Sequence, residues 1–221
     1  MFEPSGERAS TSQSGRSSSA TSVKTQDTLP SAGFNVAALA KIGEQAFQRG
    51  ELVSAELVAL TYGALVRQLF LDYQAPEDVN EELERIGYNI GLRLVDDFLA
   101  RSAAPPCRSF QATAEIVARV AFRMYLGVSA RPANFAADNT AYSILFDTNP
   151  LAEFVEVPDA VANTLWYSNI FCGVIRGALE MVQFSVRASF TRDMLRGDEC
   201  NEIRVCLLRE LEETVPLDKE T

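Results

Sequence analysis

The chain is predicted to fold as an α+β domain, with N-terminal helices packed on a C-terminal antiparallel sheet that is accompanied by a further long helix. Three observations predict this. Apolar residues recur every three or four positions through the first part of the sequence, as on helix faces. After Gly127, short strand-like runs separated by turn residues replace that spacing. Hydrophobic residues make up 47 % of the 221 residues, which is enough for a core. Helices first and strands later are typical of the α+β class.

The first 32 residues form a compositionally separate segment, rich in Ser and Thr and poor in large apolar side chains. Such a segment buries too little surface to offset its ordering entropy, so we expect a disordered tail at 1–32 and a single domain at 33–221. The tail is interpreted either as a phosphorylation-regulated segment or as an extension without a role of its own. A first short helix is predicted from Val36 to Gln48, with Gly50 as its left-handed cap.

Three longer helices are predicted next. Ser54 suits the N-cap of the first, and its apolar residues are expected to face the core: Leu57, Leu60, Ala64, Leu65 and Leu69. Pro76 suits the first turn of the second, which carries a longer apolar stripe: Val79, Leu83, Ile86, Ile90, Leu94 and Phe98. Gly87 and Gly91 lie beside this stripe. Glycine inside a helix costs about 1 kcal/mol relative to alanine, so another element is expected to approach closely there. The third helix is predicted from about Ser109 to Leu126.

The second half of the chain predicts the sheet. Short strands are expected at 142–146 and 154–157, separated by the turn-forming pair Asn149-Pro150. A buried helix is expected at 165–184. Two further strands are expected at 185–194 and 201–209, joined by a hairpin turn at 196–199 that contains a glycine.

The composition argues against several classes of function. The net charge of −10 is the wrong sign for a nucleic-acid-binding surface. The absence of histidine removes the Ser-His-Asp and Cys-His catalytic systems. The four cysteines, at positions 107, 172, 200 and 206, form no C-x-x-C pair, so no metal site is expected. The N-terminus lacks the apolar stretch of a signal peptide, and scattered thiols suit a reducing compartment, so a cytoplasmic location is expected.

Several short sequence motifs resemble those of one protein family, and they occur in the same order and with the same spacing as in that family. They are Leu60-Thr-Tyr-Gly-Ala-Leu-Val66, Gly87-Tyr-Asn-Ile-Gly91, Asp96-Asp-Phe-Leu-Ala-Arg101, Asn149-Pro-Leu-Ala-Glu-Phe-Val-Glu-Val-Pro158, Trp166-Tyr-Ser-Asn169, Cys172-Gly-Val-Ile-Arg-Gly-Ala-Leu-Glu-Met-Val-Gln183, Arg196-Gly-Asp198 and Glu202-Ile-Arg204. From about Leu39 onward, the chain resembles the Bet-three family of small subunits of the transport protein particle (TRAPP) complexes.

This resemblance implies a non-enzymatic core subunit of a complex that tethers vesicles in ER-to-Golgi and Golgi transport. It implies a cytoplasmic protein that is peripheral on cis-Golgi and ER–Golgi membranes. The expected partners are other TRAPP small subunits, or a second copy of the chain in a homodimer, bound through the helical face. The complex would also contribute to guanine-nucleotide exchange on the Rab GTPase of the early secretory pathway.

Cys107 is the candidate site for covalent chemistry. It follows Pro105-Pro106 and precedes a predicted helix, with Arg101 and Arg108 close in sequence. A helix N-terminus and nearby cations lower the pKa of a thiol, so a thiolate that accepts an acyl group as a thioester is one reading. A structural cysteine is the other.

The resemblance favours the first reading of this cysteine. It implies that Cys107 carries a palmitoyl chain in a hydrophobic tunnel lined by Val117, Ala118 and Ala121, although Pro106 stands where the family often has a basic residue. An alternative function is a self-acylating lipid carrier or acyl-transfer protein. Cys172, Cys200 and Cys206 are interpreted as structural.

The C-terminal tail is acidic, which is also typical of a frayed end in solvent. The resemblance implies that it reaches the nucleotide pocket of the Rab. Pro216, Asp218 and Glu220 are the residues expected to make that contact.

Overall fold

The computed structural model describes residues 35–212, so the expectation for 1–32 lies outside the described residues. The chain forms seven α-helices within that range, and their bounds are as follows: α1 Val36–Arg49, α2 Ala55–Tyr73, α3 Pro76–Ser102, α4 Phe110–Ile116, α5 Phe122–Leu126, α6 Asp159–Ala162 and α7 Ile170–Met181. A π-helical segment, Val117–Ala121, joins α4 to α5, so that 110–126 is one continuous helical rod.

Four strands form one antiparallel sheet: β1 Ala130–Ala133, β2 Ala141–Phe146, β3 Phe184–Arg192 and β4 Asn201–Glu210. Their order across the sheet is β1-β2-β4-β3, so the last strand in sequence lies inside the sheet. The register pairs Ile144 with Ile203 and Ala188 with Val205. The predicted α+β class, with helices first and an antiparallel sheet later, is confirmed.

The main hydrophobic core lies between the 110–126 rod, α7 and one face of the sheet. The rings of Phe110 and Tyr142 lie 4.8 Å apart, and those of Phe122 and Phe146 lie 5.2 Å apart. Each pair therefore joins the rod to β2. Along β3, buried and more exposed residues alternate, as expected for a strand with one face on the core.

The close approach predicted at Gly87 and Gly91 lies within the chain, where α3 packs on α7. A Cβ added at Gly91 would lie 2.8 Å from the amide nitrogen of Ala178, and one at Gly87 would lie 3.0 Å from that of Val174. Gly173 contributes from the other side, since a Cβ there would lie 2.7 Å from the Tyr88 nitrogen. The two backbones touch, which explains glycines that are unfavourable in an isolated helix.

The predicted buried face of α2 is confirmed at Leu69, and Leu65 packs against the main core, but it is wrong for the other three residues. Leu57 and Leu60 are 64 % and 63 % exposed, whereas the helix buries Ala59, Tyr62, Val66 and Leu69. The rotation follows the ring of Tyr62, whose hydroxyl donates to the carbonyl oxygen of Tyr167 at 2.5 Å. Leucines that are apolar enough for a core therefore lie on the surface.

The predicted stripe of α3 is confirmed in part, since Ile86 packs against the main core and Phe98 against a second, smaller cluster. Val79 and Leu83 are buried, but the buried positions then follow the glycines to Val95, and Ile90 is exposed. The inner face is set by the contact with α7, which the spacing of large side chains does not reveal.

The predicted strand at 154–157 is also wrong, because this segment is a turn followed by irregular chain. Asn149 starts it, since its side-chain oxygen accepts from the Leu151 amide at 3.1 Å and favours a turn. The sheet instead takes Ala130–Ala133 as the partner of β2, a strand that the sequence did not predict.

The predicted helix at 165–184 begins later, at Ile170, and ends at Met181. Asn80 of α3 explains the late start. Its side chain accepts from the Trp166 amide at 2.8 Å, and its carbonyl accepts from the Asn169 side chain at 2.8 Å. These hydrogen bonds hold the residues before Ile170 in turns.

Two further predictions concern the end of α1 and the connection between β3 and β4. Gly50 follows α1 but has φ −70° and ψ 150°, so it is extended and not a left-handed cap. The connection from β3 to β4 is longer than a tight hairpin, since it contains a 3-10 turn, Met194–Arg196, before Gly197 at φ 90°. Arg196 anchors it by lying 3.3 Å from the ring centroid of Trp166.

Candidate functional site

Cys107 lies in the linker between α3 and the 110–126 rod. Ala103, with φ 52°, ends α3 in the left-handed region, and the Ala104 amide donates to Ser102 Oγ at 3.1 Å. Ser109 then caps the rod, accepting from the Ala112 amide at 3.2 Å. The thiol is thus held between two fixed helix ends.

The surroundings of Cys107 are a second hydrophobic cluster, separate from the main core. Leu39, Ile116 and Val120 form its buried centre. Four partly buried residues pack against that centre: Ile42, Phe98, Ala104 and Cys107. The apolar side chains around the thiol therefore come from α1, from α3, from the linker and from the rod.

This apolar setting overturns the expected activation of the thiol. Burial raises the pKa of Cys107 from 9.0 to about 11, whereas Arg101 and Arg108 were expected to lower it. Arg101 is engaged elsewhere, in an ion pair with Asp97 at 3.0 Å. Arg108 is exposed. Neither arginine lowers the pKa of the Cys107 thiol, although both are close to it in sequence. The thiol is therefore neutral near pH 7.

A buried pair of hydroxyls lies near the thiol. Thr113 Oγ1 and the Tyr142 hydroxyl oxygen are 3.0 Å apart, and both side chains are fully buried. Burial raises the pKa of the Tyr142 phenol, and ionisation of the nearby Cys107 thiol would raise it further. This pair introduces polarity beside an otherwise apolar site.

The residues predicted to line a lipid tunnel coincide with the π-helical segment. Val117 begins this segment and Ala121 ends it, with Ala118 between them. Single π turns inside α-helices occur frequently at functional sites. The sequence did not predict this feature, since its apolar spacing is that of an ordinary helix.

The structure divides these predicted site residues between two clusters. Ala118 is fully buried in the main core, and Val117 packs against that core. Cys107 packs instead with the cluster of Ile116 and Val120, on the neighbouring positions of the same rod. Ala121 is half-buried. A chain running from the thiol to all three predicted lining residues would thus pass along the rod, from one cluster towards the other.

The residues of this site that sequence reasoning missed are on α1 and α3. Leu39 is 2 % exposed and Ile42 packs beside it, although the helix that carries them was predicted only as a short element. The signal was present in the spacing of Leu39, Ile42 and Ala46, which repeats every three or four residues as on a buried helix face.

Helices α2 and α3 each expose apolar side chains. On α2 there are five: Leu57, Val58, Leu60, Leu71 and Tyr73. On α3, a groove of about 440 Å³ is lined by apolar residues and flanked by charged ones: Arg85, Ile86, Asn89, Ile90, Arg93, Leu94 and Asp97. An exposed apolar surface of this kind marks an interaction site.

Three further expectations concern the C-terminal tail, metal binding and membrane spanning. Pro216, Asp218 and Glu220 lie outside the described residues. Within 35–212, no three His, Cys, Asp or Glu residues gather so that they could hold a metal ion. In the same part of the chain, no helix combines the length and the apolar character needed to span a bilayer.

Comparison with known proteins gives consistent matches. The profile of the family described as "Transport protein particle (TRAPP) component" matches residues 58–206. The chain is 52 % identical over 176 residues to transport protein particle subunit bet3 of Schizosaccharomyces pombe, covering 80 % of this chain and 96 % of that one. It is 42 % identical over 184 residues to trafficking protein particle complex subunit BET3 of Saccharomyces cerevisiae, covering 82 % and 95 %.

Among solved structures, the chain matches trafficking protein particle complex subunit 3 from Naegleria fowleri, described as covalently bound to palmitic acid. The TM-score is 0.70 at 48 % identity, over 72 % of this chain and 98 % of that one. The family profile covers most of the domain, and the two yeast relatives are 52 % and 42 % identical to the chain. Both findings agree with the resemblance that the sequence motifs indicated. The chain therefore belongs to the TRAPP component family.

Proposed function

We propose that this chain is a core, non-enzymatic subunit of a TRAPP vesicle-tethering complex and that it carries a buried palmitoyl chain as a thioester on Cys107. One observation carries the lipid half of the proposal. Cys107 packs into an apolar cluster beside the rod, and a solved relative at 48 % identity is described as covalently bound to palmitic acid.

The energetics support a structural role for such a lipid. Burying an acyl chain gives about 0.8 kcal/mol per methylene, so a palmitoyl chain inside the protein is worth about 10 kcal/mol. That is comparable to the whole stability of a domain. A chain lodged along Val117, Ala118 and Ala121 would act as part of the core and would not anchor the protein in a membrane.

The test is the intact mass of the purified chain before and after hydroxylamine, which cleaves thioesters. We expect the mass to fall by one palmitoyl group and Cys107→Ser to lack that group from the start. Cys206→Ser is the matched control, since Cys206 is also a partly buried free cysteine. Acylation that survives in Cys107→Ser would place the lipid elsewhere and overturn the assignment.

The acyl-transfer alternative predicts a different time course. With labelled palmitoyl-CoA, a static lipid gives labelling that rises to about one group per chain and stays, because the buried thioester is shielded from water and from other acceptors. Repeated release of labelled fatty acid would instead support turnover. The neutral, partly buried thiol favours the static lipid, since a leaving or attacking thiolate is disfavoured there.

The partner half of the proposal rests on the outer surface of α2 and α3. Leu57 and Leu60 are exposed on α2, and the groove along Ile86, Ile90 and Leu94 is open on α3. We assign it to association with other TRAPP small subunits, and to a homodimer when the chain is isolated. Exposed leucines in such numbers are costly in water and are covered in an assembly.

Sedimentation of Leu57→Asp/Leu60→Asp tests this surface. We expect the double variant to sediment as a monomer, because two carboxylates would have to be desolvated in the interface. Leu208→Asp is the control, since Leu208 is similarly exposed but lies on β4. A dimer that persists in the double variant, or dissociates equally in the control, would contradict the assignment.

The proposal extends to nucleotide exchange on the Rab of the early secretory pathway, at cis-Golgi and ER–Golgi membranes. Carboxylates entering the Rab pocket would compete with phosphate and disturb Mg²⁺. Asp218 and Glu220 supply them in this chain, next to Pro216. Deletion of Leu217–Thr221 should slow exchange by the reconstituted complex, and Asp218→Asn/Glu220→Gln should slow it without shortening the tail. Unchanged rates in both variants would exclude the tail from exchange.

A further inference from the structure

Helix α1 forms one wall of the Cys107 site. Leu39 is at the buried centre of the second cluster, and Ile42 packs against the same centre as Cys107 does. The other walls, from Phe98 and from Ile116 and Val120, belong to α3 and to the rod. Those two elements are also fixed by the main core or by α7, whereas α1 contributes no residue to the main core. The thiol site thus has two fixed walls and one that is held separately.

Besides the packing of Leu39 and Ile42, α1 contacts the rod through its backbone at one glycine. A Cβ added at Gly43 would lie 2.5 Å from the carbonyl oxygen of Arg119 and 3.2 Å from the Cα of Val120. Arg119 and Val120 both lie in the π-helical segment. Gly43 is therefore the residue that lets α1 lie flat against the part of the rod next to the thiol.

A further contact of α1 with the rod is polar and lies close to the surface. Glu44 pairs with Arg123 at 2.7 Å, with the two side chains 41 % and 28 % exposed. That hydrogen-bonded pair holds the pKa of the Glu44 carboxyl below its usual value. The Arg123 guanidinium also lies 4.9 Å from the ring centroid of Phe47. Half-exposed ion pairs contribute little to stability, so this fastening is weak relative to the apolar core.

The link from α1 to α2 contributes little more. Residues 51–54 are exposed, with Leu52 69 % and Val53 71 % accessible. Helix α1 is thus held by a small cluster separate from the main core, by the buried Ala46, by one half-exposed ion pair and by an exposed link. Units held outside the main core in this way are expected to open before the rest of a domain.

We propose that α1 is a gate over Cys107: its displacement admits the acyl donor, and its return seals the acylated residue inside the protein. This inference rests on the proposed lipid attachment. With an acyl-CoA as donor, the Cys107 sulfur forms a bond to the acyl carbon, the bond from that carbon to the CoA sulfur breaks, and the thiol proton passes through water to the released CoA thiolate. The bulky donor needs the opening, since the Cys107 thiol is only partly exposed in the closed site.

The test uses the full chain with Gly43→Ala, which pushes α1 away from the rod without touching Cys107 or the predicted lining residues. Iodoacetamide is the probe, and mass spectrometry of the Cys107 peptide gives its labelling rate in the unacylated protein at pH 8. We expect the rate to rise by about tenfold or more, because the thiol becomes hydrated and its thiolate fraction grows. Gly63→Ala is the matched control, since a Cβ there meets only the Tyr167 hydroxyl, at 3.3 Å, and its rate should match that of the unmodified chain.

A second variant protects the test against misfolding. Glu44→Gln removes the charge of the ion pair and adds no bulk, and Glu51→Gln in the exposed link is its control. We expect a smaller rise in labelling with Glu44→Gln, about two- to fivefold, because a surface ion pair is a weak fastening. If hydrogen exchange shows α1 loosened in Gly43→Ala while the labelling rate stays within about twofold of the unmodified chain, α1 is not a gate.

The labelling readout separates this inference from the proposed function. Iodoacetamide reports access to the thiol whether or not the protein ever carries a fatty acid. Faster labelling without any palmitoyl adduct from palmitoyl-CoA would sustain the gate and overturn the lipid attachment. A stable adduct formed at equal rates in the unmodified chain and in Gly43→Ala would sustain the attachment and overturn the gate.

Discussion

Thr113 donates its hydroxyl proton to the Phe110 carbonyl oxygen, and it therefore accepts the hydrogen bond that it shares with Tyr142. The two distances are 2.5 Å to the carbonyl and 3.0 Å to the phenol oxygen. Because a carbonyl oxygen only accepts, the direction of both bonds is fixed. The Tyr142 phenol is thus the donor of this buried pair, and the Thr113 oxygen is its acceptor.

Tyr142→Phe should lower the free energy of unfolding by about 1–3 kcal/mol, because it leaves the buried Thr113 oxygen without its donor. The double variant Tyr142→Phe/Thr113→Val should lose less than the sum of the single losses, since it removes both ends of the bond. Urea unfolding of the four proteins measures this. Additive losses would mean that the two hydroxyls do not interact.

Gly173→Ala should destabilise the chain by about 3 kcal/mol or more, because its Cβ would overlap the backbone of α3. That Cβ would lie 2.7 Å from the Tyr88 nitrogen, and closer still to the Glu84 carbonyl oxygen. Gly63→Ala provides the comparison, since it meets only a side-chain hydroxyl at 3.3 Å and gains helix propensity. Thermal unfolding of both variants checks the difference. Similar melting temperatures would show that α3 and α7 can separate at little cost.

The glycines illustrate what could be predicted from the sequence. Gly87 and Gly91, four residues apart inside a helical pattern, required a close neighbour, and α7 is that neighbour. Helix starts were predicted well wherever a side chain caps them, as at Ser54 and Ser109. In these cases the physical cause lies within a few residues of the feature, so sequence spacing is sufficient.

The failures share a different cause. Helix α2 has apolar residues on two sides, and only the tertiary contact of Tyr62 with Tyr167 decides that Leu57 and Leu60 face outward. The thiol of Cys107 was expected to sense Arg101, but that arginine pairs with Asp97. In each case a residue distant in sequence determines the outcome. The same holds for the wall that α1 adds to the site.

The pH dependence of Cys107 labelling follows from its raised pKa. Since burial raises that pKa from 9.0 to about 11, iodoacetamide labelling of Cys107 should still be rising at pH 10, where that of a free thiol levels off. The folded state also holds this proton more tightly than the unfolded chain. Its contribution to stability is therefore complete below pH 9 and is lost as the pH rises towards about 11.

Labelling rates from pH 7 to 10, compared with glutathione in the same tube, measure this dependence. Circular dichroism at each pH verifies that the chain stays folded. A Cys107 profile that levels off together with glutathione would mean that the thiol is hydrated in the folded chain, contrary to its apolar surroundings.

Ala121→Leu tests the path of the lipid along the rod. Ala121 ends the π-helical segment and is half-buried, so three added carbons there would fill space beside the rod. If the acyl chain runs past Ala121, Ala121→Leu should abolish the hydroxylamine-sensitive mass and should lower the melting temperature relative to the acylated chain. The reason is that overpacking and a bound fatty chain compete for one volume.

Ala100→Leu is the control for this substitution, since Ala100 lies in the exposed part of α3 near the linker. It should keep both the adduct and the melting temperature. An Ala121→Leu protein that carries the full palmitoyl adduct and melts as the unmodified chain does would show that the lipid takes another course from Cys107. The second cluster around Leu39 and Val120 would then be the volume to probe, by Val120→Phe with the same two measurements.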